Sequence, residues 1–78
     1  MANRSLDLRG LLCPLTWAKV RRELSTLAAG DVLEVTVDHR PAVPDIRRNA
    51  GELGHEVSPT RVLTDGGWEL VIEVGIAG

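Results

Sequence analysis

With 78 residues, 44% of them hydrophobic and 26% charged, the chain has the length of one domain, 1–78, with no room for a second core. A net charge of -2 and only two aromatic residues, Trp17 and Trp68, argue against direct binding of nucleic acid through a basic or stacking surface. No apolar run approaches the roughly 18 residues of a membrane span, and Met1 to Asp7 lacks the apolar centre of a signal peptide, so a cytoplasmic location without membrane contact is expected.

Ser5 to Leu8 reads as a short first strand, Leu6 and Leu8 alternating with Asp7, and Arg9-Gly10 breaks it. Cys13-Pro14 opens a helix, because proline suits a first helical position whose N–H has no partner in any case. Trp17, Val20, Leu24 and Leu27 make one apolar stripe on this helix to about Ala28, and Gly30 stops it. Val32 to Val37 alternates as a second strand, with Leu33, Val35 and Val37 on one face. After the loop Asp38-His39-Arg40-Pro41, a second helix holds Pro44 and Asp45 in its first turn and buries Ile46, Ala50 and Leu53 before Gly54. Glu56 to Leu63 is a third strand, and Pro59 confines it to an edge or a bulge. Asp65-Gly66-Gly67 turns a hairpin into a last strand, with Trp68, Leu70, Ile72 and Val74 on one face.

The order β-α-β-α-β-β predicts an α/β fold of the two-layer α+β sandwich type, a four-stranded mixed sheet with two helices on one face. Right-handed crossovers make the first three strands parallel, and the hairpin reverses the last. The turn holding Cys13, the loop holding His39 and the turn at Asp65 to Gly67 then share one end of the sheet, with His55 at the other.

One cysteine excludes an internal disulfide and a Cys-x-x-Cys redox or zinc site. His39 and His55 lack the further ligands of a zinc site, so neither metal nor cofactor is expected. A cysteine at a helix N-terminus faces unpaired N–H groups and the positive end of the helix dipole, both of which favour thiolate, the nucleophilic form. Gly10 permits the tight turn ahead of it, and Pro14 sets the helix start. His39 is either a partner that ionises the thiol further or a solvated loop residue. The competing reading of Cys13 is a small buried apolar residue. The pairs Arg21-Arg22 and Arg47-Arg48 read as solvated helix faces.

Leu6-Asp7-Leu8-Arg9-Gly10-Leu11-Leu12-Cys13-Pro14 resembles the opening signature of the TusA/SirA family of small sulfur-carrier proteins: a Leu-Asp, then a Gly-Leu, one residue, and Cys-Pro-x-Pro. The likeness continues in register through Gly30-Asp31-Val32-Leu33-Glu34-Val35, Asp38, Asp45-Ile46 and Gly54-His55-Glu56. It implies a two-layer sandwich of the order above. It also implies that Cys13 accepts persulfide sulfur from a cysteine desulfurase or a rhodanese-like donor and passes it to a downstream acceptor protein. The relays implied are tRNA thiolation, molybdenum-cofactor metabolism and sulfur oxidation. The chain would then be a sulfurtransferase-type carrier, monomeric when free, with no independent turnover of small substrates. Basic residues about eight and nine positions beyond the family cysteine correspond to Arg21 and Arg22; with Lys19, which also lies off the apolar stripe, and Asp38, at a departure from the family pattern, they are the expected docking residues. Two departures, Thr16 for the second proline and Asp38-His39 for an acidic pair with the proline moved to Pro41, are expected where a partner reads the surface. The alternative function is a non-catalytic binding or regulatory module, for RNA or protein, using the Arg-rich helix faces.

Overall fold

The structure, a computed structural model, describes residues 3–12 and 15–75. Its elements are β1 (Asn3–Asp7), α1 (Leu15–Ser25), β2 (Val32–Val37), α2 (Ala42–Glu52), β3 (Glu56–Val57), β4 (Arg61–Val62) and β5 (Trp68–Glu73). Strand β1 pairs with β2 in parallel, and β5 runs antiparallel to β2 on one side and to β3 and β4 on the other. The expected strand directions hold. The order across the sheet, β1-β2-β5-β3, puts the last strand in the interior.

Alternation explains the two layers. Leu6, Val35 and Leu70 align across the strands, as do Leu33 and Ile72. Leu33, Val35, Leu70 and Ile72 are fully buried beneath the helices. They meet Val20 and Leu24 of α1 and Ala42, Ile46 and Ala50 of α2 in one core. On the opposite face the alternate positions carry Ser5, Glu34, Glu69 and Glu73, the polar set of a sheet covered on one side.

The expected third strand is two short pieces along one edge. Val57 stands opposite Ile72 and Arg61 opposite Glu69, so Ser58, Pro59 and Thr60 face only Leu70 and Val71. This is a bulge, placed where proline's missing donor costs least. Ser58 repairs the ladder: its N–H donates to the Val71 carbonyl (2.8 Å), and its Oγ accepts the Val71 N–H (3.0 Å). Arg47 Nη2 reaches from α2 to the Ser58 carbonyl (2.8 Å) and Thr60 Oγ1 (2.7 Å). Arg47 is therefore a half-buried clamp on the bulge, not part of a solvated face, whereas Arg48 is exposed and pairs with Asp45 at 2.7 Å.

Two further expectations change. Thr16 is 0% exposed, so this departure from the family signature is not on a readable surface. Its spacing to Val20, Leu24 and Leu27 makes it the first buried residue of the inner face of α1. Leu53 is 50% exposed, because α2 ends at Glu52 and Gly54, at φ +89°, turns the chain away before another helical turn can carry Leu53 inward.

Candidate functional site

The segment ahead of α1 leaves the sheet just beyond the end of β1. Leu8 continues the ladder by donating its N–H to the Thr36 carbonyl (2.8 Å), and its side chain is buried. Gly10 then adopts φ +88°, a left-handed conformation that glycine takes without the strain a Cβ would bring. Leu11 turns back onto the core, and its N–H donates to the Leu8 carbonyl at 3.2 Å. Leu12 points outward. Cys13 and Pro14, expected to open the helix, lie outside the described residues. On their far side the Leu15 N–H donates to the Leu12 carbonyl at 2.9 Å.

Three separate segments hold this turn. The Asp38 carboxylate, just beyond β2, accepts the Gly10 N–H at 2.9 Å. Arg9 donates from Nε to Asp7 Oδ1 (3.1 Å) and from Nη1 to Asp65 Oδ2 (2.6 Å), linking the end of β1 to the hairpin. Asp65 also accepts the Gly67 N–H at 3.2 Å, so the hairpin is braced by the same carboxylate. Hydrogen bonds from the side chain and then the backbone of Arg9 hold the Asp7 carboxyl below the ordinary carboxylate range. The same side-chain hydrogen bond raises the Arg9 guanidinium. The first turn of α1 contains no acidic residue, so its positive dipole end is not opposed from within the helix.

The expected sharing of one sheet end is met by Gly10, Asp38 and Asp65 through these contacts. His39 lies in the same loop as Asp38. Its carbonyl accepts the Ala42 N–H (2.9 Å) and starts α2, while its imidazole forms no hydrogen bond or ion pair among the described residues. His55 lies at the other end, where Nδ1 accepts the Gly75 N–H at 3.0 Å. Asp38, expected as a docking residue, thus also holds the turn ahead of Cys13.

The three basic residues of α1 are exposed but do not form one patch. Lys19 and Arg22 border a shallow groove with Leu6, Glu23 and Thr26 on the β1 side. Arg21 borders another with Leu24, Leu27, Leu53 and His55 on the α2 side. Among the described residues no group of three or more His, Cys, Asp or Glu is placed to hold a metal ion. The Arg9–Asp65 link escaped sequence reasoning, since the two residues are 56 positions apart. Only the local Asp7-x-Arg9 spacing hinted at half of it. No helix among the described residues is long and apolar enough to cross a membrane.

Over residues 4–74 the chain matches the family described as Sulfurtransferase TusA. It is 36% identical over 72 residues to a candidate sulfur carrier protein of Archaeoglobus fulgidus, covering 92% of this chain and 82% of that one. A second candidate sulfur carrier protein, from Thermotoga maritima, is 31% identical over 71 residues, covering 91% and 90%. Among solved structures, the SirA-like protein of Desulfitobacterium hafniense superposes with a TM-score of 0.84 at 25% identity, covering 92% of this chain and 97% of that one.

Proposed function

The chain belongs to the sulfurtransferase TusA family, and from that premise we propose that it is a cytoplasmic sulfur carrier which loads persulfide sulfur on Cys13 and relays it between proteins. The observation that carries this reading is that the family match runs through residues 4–74 and includes the one cysteine of the chain. The acid-free first turn of α1, two residues further along the chain, supports it, because an unopposed positive helix end favours a thiolate.

In the loading step the Cys13 thiolate attacks the outer sulfur of a cysteine persulfide on the donor, a cysteine desulfurase or rhodanese-like protein. A bond forms between Cys13 Sγ and that sulfur as the donor's own S–S bond breaks. The donor departs as a thiolate with the bonding electron pair, and the proton given up by the Cys13 thiol is balanced by the one this thiolate takes up. No external oxidant or reductant enters. Delivery repeats the exchange with Cys13 as the leaving thiolate and an acceptor protein of tRNA thiolation, molybdenum-cofactor metabolism or sulfur oxidation as the nucleophile. His39 is assigned no step. Lys19 and Arg22, which border the same groove, meet acidic side chains of the donor, raising the encounter rate more than the final affinity, and Arg21 faces the other way. The alternative of a binding module built on Arg-rich faces loses Arg47, which is committed to the bulge.

Intact mass after incubation with a cysteine desulfurase and cysteine tests the proposal. The expected result is a gain of one sulfur atom, removed by dithiothreitol and absent in Cys13→Ser. A wild-type chain that gains no sulfur, or a Cys13→Ser chain that still gains it, overturns the reading.

A further inference from the structure

Four large apolar side chains are exposed among the described residues, and three of them lie at the sheet end that precedes α1. Val62 ends β4 there, and Leu12 (60% exposed) and Leu15 (55% exposed) are the immediate neighbours of Cys13-Pro14 in the chain. An isolated exposed leucine is ordinary. Here two flank the only thiol in the sequence, and the Leu15 N–H ties them together by donating to the Leu12 carbonyl. The buried line of α1 runs through Thr16, Val20 and Leu24. Leu15, Ala18, Lys19 and Arg22 fall at i, i+3, i+4 and i+7 on a different face, and all four are exposed. That face is apolar next to Cys13 and basic one to two turns further on.

We propose that Leu12 and Leu15 form the apolar contact of the docking surface, continued by Ala18, Lys19 and Arg22. The partner it fits is a sulfur-donor protein whose reactive cysteine lies in an apolar recess bordered by acidic side chains. This rests on the reading of Cys13 as the sulfur acceptor. Charge complementarity to Lys19 and Arg22 sets the acidic border, and the leucines set the recess. A patch of two leucines is far below the roughly 800 Å² per partner of a stable complex, which suits a carrier that must leave after each exchange. The acids and cation behind the turn, Asp7, Arg9, Asp38 and Asp65, are occupied with one another and with the backbone. The exposed apolar side chains that flank Cys13 in the sequence are Leu12 and Leu15.

The test compares sulfur loading of the full chain from a persulfidated cysteine desulfurase, at low and high salt, for wild type, Leu12→Ser with Leu15→Ser, and Lys19→Glu with Arg22→Glu. Inorganic polysulfide, which needs no docking, provides a second route to loading. The serine pair is expected to load from the desulfurase on the order of twentyfold more slowly at both salt concentrations. It should load from polysulfide and react with iodoacetamide at the wild-type rate. The glutamate pair should be slow at low salt only, as screening removes its repulsion. Leu12→Met with Leu15→Met, which keeps the apolar contact, should load at close to the wild-type rate. A serine pair that loads normally from the desulfurase overturns the apolar contact and leaves Cys13 as the acceptor. A serine pair slowed equally with polysulfide overturns it as well, since the defect then lies in the thiol. Wild-type self-association that the serine pair abolishes would make this face a contact between two copies, also against the proposal. A wild type that neither desulfurase nor polysulfide can load removes the reading of Cys13 itself.

Discussion

Replacing Arg47 by methionine, which keeps an apolar stem of similar reach, should destabilise the protein by about 2 kcal/mol. The guanidinium donates to the Ser58 carbonyl at 2.8 Å and to Thr60 Oγ1 at 2.7 Å, in a half-buried position. Hydrogen bonds from a charged donor contribute more than neutral ones, about 1.5–3 kcal/mol each, but partial solvent access lets water replace some of that. Methionine would strip both acceptors at the one place where the β3–β4 edge has no regular ladder. For a chain of this size, about 2 kcal/mol corresponds to a fall in Tm of roughly 8–16 °C. Urea titration followed by circular dichroism measures it. Arg48→Met is the internal control: its guanidinium is exposed and pairs, among the described residues, with Asp45 alone, so it should stay within about 0.5 kcal/mol of wild type. The reasoning fails if Arg47→Met is no more harmful than Arg48→Met. It also fails if Arg47→Lys, which keeps the charge but not the forked donors, fully restores stability.

Gly75→Ala should cost about 1–3 kcal/mol, because a Cβ there would strike the Gly54 carbonyl oxygen, a backbone atom that cannot swing aside. Urea unfolding is the check, with Gly51→Ala, whose Cβ meets open space, expected to be neutral or stabilising. Because Arg9 depresses the folded-state titration of Asp7, the contribution of that pair is present above about pH 4 and is lost as pH falls through the lowered folded value. A carboxyl NMR titration should give Asp7 a midpoint below that of an unfolded-chain aspartate, returning toward it in Arg9→Gln. An unshifted midpoint in the wild type would contradict the Asp7–Arg9 geometry.

The amino-acid sequence determined, without tertiary information, those features that act through the chain itself. Alternation at Leu33, Val35 and Val37 and at Leu70, Ile72 and Val74 marked two strands and their buried faces. Spacing at Trp17, Val20, Leu24 and Leu27 marked the inner side of α1 and of the turn after it, Trp17 only partly buried. Two crossovers and a hairpin then decided strand direction, which follows from chain handedness and turn length. Cys13 stood out in the same way, as the only thiol and the centre of a contiguous signature. Tertiary structure alone decided which neighbours each element took. Nothing in its own residues tells β5 to enter between β2 and β3, since its buried alternation suits an edge or an interior strand of a sheet covered on one face. Thr16 is as polar as any surface threonine, and its place at i relative to Val20 and Leu24 buries it only once α1 is packed on the core. The turn ahead of Cys13 is held by Asp38 and Asp65, residues 28 positions from Gly10 and 56 from Arg9, and such contacts have no local periodicity to betray them. Arg47 and Arg48 are the sharpest case: adjacent and chemically identical, they differ by about 100° around the helix axis. That rotation carries one over the bulge at Pro59 and leaves the other in water.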